Sequence, residues 1–161
     1  ENGHSFTGNY VVNNEQRDVG VITGSAIAKQ YGEEGLPEDT ILAYTEGHAG
    51  QSLAAYAPRG LTIHHTGDAN DYVGKGLSGG TVIVNAPNSQ RENEIIAGNV
   101  NFYGASRGKA FINGKAGENG LATRQGGRRS MEDQQRDPAW GLLAPLNSLI
   151  QTLFSALLKY I

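Results

Sequence analysis

The sequence predicts a mainly β protein, a single-stranded parallel β-helix (a solenoid) in which short strands alternate with glycine-rich turns. Three observations lead to this fold class: an excess of glycine, an imperfect repeat of about 20 residues, and a short apolar segment before each repeat. Of the 161 residues, 23 are glycine, about twice the usual share of roughly 7%. So much glycine is useful where turns need positive φ or close backbone approach.

The repeat consists of four stretches that begin Gly-x-(Ala or Val)-(Gly or Asn) and close on glycine. They cover residues 47–60, 67–80, 98–108 and 114–127, and their first glycines are 20, 31 and 16 residues apart. None of them carries the i, i+3, i+4 apolar pattern of a helix. The polar segment 85–94 predicts a loop inserted into one repeat, which accounts for the longest interval.

Strands are predicted in the apolar, partly β-branched segments that flank the glycine stretches. These segments are residues 41–44, 61–64, 81–84, 95–97 and 110–112. The glycines between them are interpreted as structural turn residues. The set comprises Gly47, Gly50, Gly67, Gly74, Gly76, Gly79, Gly80, Gly98, Gly104, Gly108, Gly114 and Gly117.

Residues 67–80, GDANDYVGKGLSGG, imitate three ligand-binding loops. A dinucleotide fingerprint needs a helix after its glycines, but Gly80 leads into the strand TVIV. The spacing around Lys75 does not fit a phosphate loop, and an EF-hand beginning at Asp68 would lack its glycine and its glutamate. The stretch is therefore interpreted as a turn, with Asn70 and Asp71 bonded to nearby backbone.

Composition limits the possible functions. The chain has no cysteine, which excludes disulfides, thiolate catalysis and iron–sulfur ligation by its own residues. Its net charge is −3, so nothing indicates a nucleic-acid partner. The first residues lack the basic and apolar regions of a signal peptide, and a cytoplasmic location is expected.

No side-chain pattern indicates a catalytic, cofactor-binding or metal-binding site. His64 and His65 are adjacent in a predicted strand, which places one ring inward and one outward and does not favour a shared metal. Lys75 has the best claim to a role among the charged residues, although a lysine in a glycine turn is more often simply exposed. No cofactor is expected.

The order of these motifs resembles the GXGXG domain at the carboxyl end of the glutamate synthase large subunit. The resemblance is carried by NEQRDVG at 14–20, GSAIAKQYG at 24–32, GHAGQS at 47–52, residues 67–80 and IIAGNVNFYGASRG at 95–108. It runs from about residue 13 to 118. It implies a right-handed β-helix, preceded by a short helix, that packs against two catalytic domains.

The resemblance further implies that, in that family, glutamine hydrolysis belongs to an amidotransferase domain with a catalytic cysteine. Glutamate synthesis belongs to a barrel domain with FMN and an iron–sulfur cluster. Neither chemistry can be carried over to a chain without cysteine. The family is one of oxidoreductases, but this chain shows no recognisable active site.

The resemblance fades after Glu118, which divides the chain into three predicted parts. Residues 1–123 form the GXGXG domain, residues 124–137 a polar linker, and residues 138–161 an amphipathic helix from about Pro145. The apolar stripe of the helix is Leu143, Leu146, Ile150, Leu153, Leu157 and Tyr160.

Three roles are open for this tail: capping the last repeat, docking to a partner or to a second copy through residues 142–161, and touching a membrane. A fusion, a rearranged gene product or an engineered terminus would also explain the change in composition.

Three functions follow from the sequence. The first is a non-catalytic scaffold that links the amidotransferase and synthase domains of a glutamate synthase. The second is a subunit of a split glutamate-synthase-like complex in glutamate biosynthesis. The third is a self-assembling module. The first two imply other domains or subunits as partners, and the third implies a homo-oligomer.

Overall fold

The computed structural model describes residues 5–87 and 95–117, all within the first of two units into which the chain divides, residues 1–127. The predictions for the linker and for the tail helix lie outside the described residues. The elements, in chain order, are β1 Phe6–Val12, α1 Val21–Tyr31, β2 Ile41–Ala49, β3 Leu61–Ala69, β4 Ser78–Asn85, β5 Ile95–Ala97, β6 Arg107–Asn113 and β7 Lys115–Ala116.

All seven described strands belong to one parallel sheet. Its main path runs in the order β1-β2-β3-β4-β6, and β5 pairs with β3 and with β7 beside that path. The register is regular between β2, β3 and β4, where Ile41 pairs with Leu61 and Thr62 with Thr81. It shifts between Ser78 and Thr81, where β4 pairs with β6. All these strands run in the same direction.

The prediction of a right-handed parallel β-helix, a solenoid, was wrong. The described strands form a single seven-stranded sheet, whereas a β-helix would distribute the strands of each repeat over two or three sheets. The repeat did predict parallel strands about 20 residues apart. In the described ranges, however, the glycine stretches do not contribute strands of further sheets, because every second residue at 52–56, 72–76 and 100–104 has positive φ.

Helix α1 is the short helix that the amino-terminal sequence predicted. It begins after Gly20, whose φ of 92° lies in the left-handed region, and it ends at Gly32, whose N–H donates to the carbonyl of Ala28. Its buried residues are Gly24 and Ile27. A Cβ on Gly24 would lie 3.0 Å from Pro58 Cδ, so this glycine lets the helix approach the end of the first glycine stretch.

The core lies between one face of the sheet and the glycine stretches. Leu61 and Ile63 of β3 and Val84 of β4 are at most 1% exposed and point inward from the sheet. Leu53 and Val73, from two glycine stretches, are fully buried in the same cluster. Burying a side chain of this size contributes about 1.5–3 kcal/mol.

Two glycines set the distance between β2 and β3. Gly47 and Gly67 are directly paired and have φ values of 120° and 144°. A Cβ on Gly67 would overlap the carbonyl oxygen of Gly47. No other residue fits at position 67 without separating the strands.

We expect Gly67→Ala to lower the free energy of unfolding by about 2–4 kcal/mol, because the methyl group collides with backbone and φ is unfavourable. Gly104→Ala is the matched control. Gly104 also has positive φ, but nothing lies within 4 Å of its Cβ position. The control should lose only about 1–2 kcal/mol. Urea unfolding followed by circular dichroism compares them, and equal losses would contradict the close-contact argument.

Candidate functional site

Three glycine stretches repeat an unusual backbone conformation, in which every second residue is left-handed. We call residues 50–57, 70–77 and 98–105 the connections. The left-handed residues, with φ between 56° and 69°, are Ser52, Ala54 and Tyr56 in the first, Tyr72, Gly74 and Gly76 in the second, and Val100, Phe102 and Gly104 in the third. A left-handed residue other than glycine costs about 1–2 kcal/mol.

Hydrogen bonds between successive connections offset that cost. The N–H groups of Ser52 and Tyr72 donate to carbonyls of the following connection, at 2.9 and 3.2 Å. The N–H groups of Gly74 and Phe102 donate to the preceding connection, at 2.8 and 2.7 Å. Because successive left-handed residues donate in opposite directions, the second connection is bonded to the first on one side and to the third on the other. The connections thus form a second hydrogen-bonded ladder opposite the sheet.

Glycine in this ladder makes room for aromatic rings of the neighbouring connection. A Cβ on Gly76 would lie 2.5 Å from the ring of Tyr56, and one on Gly74 would lie 2.5 Å from the ring of Phe102. Phe102 is buried, while Tyr56 stays 55% exposed. The Gly-x-Gly at 74–76 is therefore an architectural feature that receives two rings.

Polar side chains complete the ladder at the start of each connection. Asp71 accepts a hydrogen bond from the backbone N–H of Asn99 at 2.7 Å. Asn70 donates to the side chain of Asn14, rather than to backbone, at 2.6 Å. Asn101 is fully buried, and it accepts from the Val73 N–H and donates to the Gly98 carbonyl.

The twelve glycines singled out from the sequence fall into two groups. Eight have positive φ: Gly47, Gly67, Gly74, Gly76, Gly79, Gly104, Gly108 and Gly114. The other four, Gly50, Gly80, Gly98 and Gly117, are crowded, since a Cβ on each would lie within 3.0 Å of a neighbouring atom. Their role as structural turn glycines remains our interpretation.

The two adjacent histidines occupy opposite faces of β3. His65 is fully buried, with Nδ1 2.9 Å from Thr45 Oγ1 and Nε2 3.0 Å from the Asp68 carbonyl. His64 is half-buried, and its Nε2 lies 3.1 Å from the side-chain nitrogen of Asn85. Burial lowers the pKa of both imidazoles, and the charge of His65 lowers that of His64 further.

The side chains of Lys75, the remaining candidate, and of the two described ion pairs do not bond to these histidine rings. Lys75 places its ammonium group 5.4 Å from the ring centroid of Tyr72. His48 is bonded to Asp68 on the next strand, and Lys109 is bonded to Glu38 at 2.8 Å. That bond and the Lys109 charge lower the pKa of Glu38. In residues 5–87 and 95–117, no three metal-ligating side chains converge.

An apolar cavity of about 480 Å³ opens beside β1. Tyr10 of β1, Ala43 of β2 and Leu61 of β3 are among its lining residues, so it is continuous with the inner face of the sheet. Tyr10 is 51% exposed and Phe6 57%. Helix α1, with 11 residues, falls short of what a membrane span requires, as does any helix in the described ranges.

Fold and connections together define a repeat domain in which glycine spacing fixes a parallel sheet and a second backbone ladder. The chain belongs to the GXGXG motif family, whose sequence model matches residues 1–132. This confirms the resemblance to the glutamate synthase large subunit that the motifs indicated.

Similar proteins include glutamate synthases from bacteria and yeast. The Bacillus subtilis glutamate synthase [NADPH] large chain is 57% identical over 110 residues, 66% of this chain and 7% of its own. The Saccharomyces cerevisiae glutamate synthase [NADH] is 46% identical over 108 residues, 65% and 5% respectively. For the Azospirillum brasilense large chain the values are 43% over 122 residues, 73% and 8%. The chain thus spans less than a tenth of each of these relatives.

The alternation of handedness was missed by sequence reasoning. The spacing of Gly74 and Gly76 could have revealed it, since two glycines two residues apart suit two left-handed positions. Val100 and Phe102 hide the pattern in the third connection, because β-branched and aromatic residues rarely adopt positive φ.

Val100→Asn should raise the free energy of unfolding by about 0.5–1 kcal/mol, because asparagine tolerates the left-handed region that valine disfavours. Ser106→Asn is the control: Ser106 is exposed, and its φ is not positive. We expect a change within about 0.5 kcal/mol there. Thermal and urea unfolding measure both, and a Val100→Asn variant less stable than wild type would refute the strain assigned to this position.

Proposed function

We propose that this domain is a non-catalytic structural part of a glutamate synthase, which fixes the relative positions of the domains that carry out the reaction. The observation that carries the proposal is the double ladder, a parallel sheet on one side and hydrogen-bonded connections on the other. A backbone bonded along two sides resists bending, and a rigid body suits a part that sets distances between other domains.

The relatives support the same proposal. Each is a glutamate synthase of which this segment is 5–8%, and parts of one enzyme associate with its other domains or subunits. Such domains or subunits are accordingly the proposed partners. A cytoplasmic location stays a prediction.

The use of polar side chains also favours a structural role. Asp71 and Asn101 bond to backbone of neighbouring connections, and His65 joins β2 to the end of β3. The hydrogen bonds of these groups are made within the domain. A catalytic site would instead require such groups to converge on a common point.

A chimera tests the non-catalytic role. The matched segment of the Bacillus subtilis large chain is replaced by this domain, and glutamine hydrolysis and glutamate formation are assayed separately. Adding His48→Gln and Lys75→Ala, which remove an exposed imidazole and a partly exposed ammonium group, should leave both rates within about twofold. A loss of more than about tenfold in either would assign a catalytic group to the segment.

The positioning role is tested in the same chimera with Gly67→Ala and its control Gly104→Ala. Separating β2 from β3 should lower glutamate formation by about 10- to 100-fold while glutamine hydrolysis stays within about twofold, because small misplacements are costly in catalysis. The control should leave both rates nearly unchanged. If Gly67→Ala yields a folded chimera with unchanged glutamate formation, the domain does not set the geometry of the reaction.

A further inference from the structure

We propose that His64 and His65 form an acid-sensitive switch in the sheet. Proton uptake by this pair opens the carboxyl end of β3 and its pairing with β2 and β4, while α1 and the rest of the domain stay folded. The proposal is independent of the enzyme to which the domain belongs.

His65 is held in one neutral form by its two partners. A backbone carbonyl only accepts hydrogen bonds, so the contact with the Asp68 carbonyl requires a proton on Nε2. Nδ1 then carries a lone pair that accepts from the hydroxyl of Thr45. A second proton, on Nδ1, would remove that acceptor and leave a cation in a site with no solvent exposure.

His64 is arranged in the same manner on the other face. Its Nε2 faces the amide nitrogen of Asn85 on β4, which only donates, so Nε2 accepts. Protonation turns that contact into two opposed donors. The imidazole also packs against the ring of Tyr44 on β2, with centroids 5.4 Å apart. Protonation therefore removes the hydrogen bond between His64 and Asn85, and at His65 it requires the Thr45 hydroxyl to change from donor to acceptor.

The groups around His65 offset only part of the effect of its burial. It faces Thr45 on β2 and Val84 on β4, which carry no charge. The carbonyl and the charge of Asp68, with the backbone of Thr45 and Gly47, raise the pKa of His65, but burial is the largest effect and lowers it.

His64 shares a groove of about 210 Å³ with Glu46, Tyr44 and Tyr10. In the described ranges, Glu46 is the carboxylate in that groove, and the hydrogen bond that His64 makes goes instead to Asn85.

The direction of the pH effect follows from burial. Burial is the main cause that lowers the pKa of each imidazole, and the proximity of the two rings adds to the effect at His64. In an opened state each returns to about 6.5. The opened state then binds more protons, so the closed state is fully favoured above pH 6.5 and loses its advantage as the pH falls toward the lowered pKa values.

The opening is expected at the carboxyl end of β3. The ring of His65 ties this strand to the carbonyl of Asp68, three residues further along. Between them lies Gly67, which is in close contact with Gly47. Loss of the two imidazole contacts would release this end first, since the cross-strand bond that remains there, between His48 and Asp68, lies at the surface.

Native-state hydrogen exchange between pH 7 and pH 5, corrected for intrinsic rates, measures the switch. In the wild type, the opening constants of amides in β3 should rise by up to about 100-fold for each unit by which the pH falls below 6.5, because opening takes up two protons. His64→Gln should reduce this rise to about tenfold per unit. Glu33→Gln, the control at an exposed carboxylate outside the sheet, should leave it unchanged.

Two outcomes would overturn the proposal. One is an equally steep rise at the amides of α1, which would mean global unfolding. The other is a rise in β3 that persists when both histidines are glutamine. If the double variant does not fold, titration of the imidazole proton resonances of the wild type decides: both must titrate below pH 6.5, and a value at or above 6.5 for His65 refutes the switch.

Discussion

The backbone contact between Gly47 and Gly67 is the constraint on which the rest of the structure depends. It brings two parallel strands together where no side chain intervenes, and it fixes their register at the ends from which the connections start. Once that register is set, Ile63 pairs with Ala43, and His65 pairs with Thr45. The inner face of the sheet and the order of its core residues are consequences of this contact.

The connections extend the same logic to the other side of the core. Their alternating handedness would be costly in an isolated chain, since residues such as Ala54 and Phe102 disfavour it. Hydrogen bonds between successive connections stabilise it. The two ladders enclose Leu53 and Val73 between them, so backbone pairing and apolar burial stabilise each other.

Much of this arrangement could be read from the sequence, and the part that could not has a physical reason. Glycine spacing and β-branched segments such as Thr81-Val82-Ile83-Val84 predicted the strands and their parallel direction, and the family resemblance of residues 24–32 implied the helix. The β-helix assignment failed because spacing reports the length of a repeat but not whether its turn residues form further strands. The inward position of His65 follows from the alternation of side chains along a strand. Its hydrogen-bond partners depend on the register between strands, which a single sequence does not determine.

The pairing distances along the chain also bear on how the domain is assembled. Leu61 pairs with Ile41, twenty residues earlier, and Thr81 with Thr62, nineteen residues earlier. Phe6 pairs with Ile41, thirty-five residues later, and Thr81 pairs with Lys109, twenty-eight residues later. Closing a longer loop costs more conformational entropy. Pairing β2, β3 and β4 therefore has the lowest entropy cost, because these strands are joined by the shortest segments. The central three strands are therefore a natural nucleus, and β1 and β6 can add to a surface that already exists.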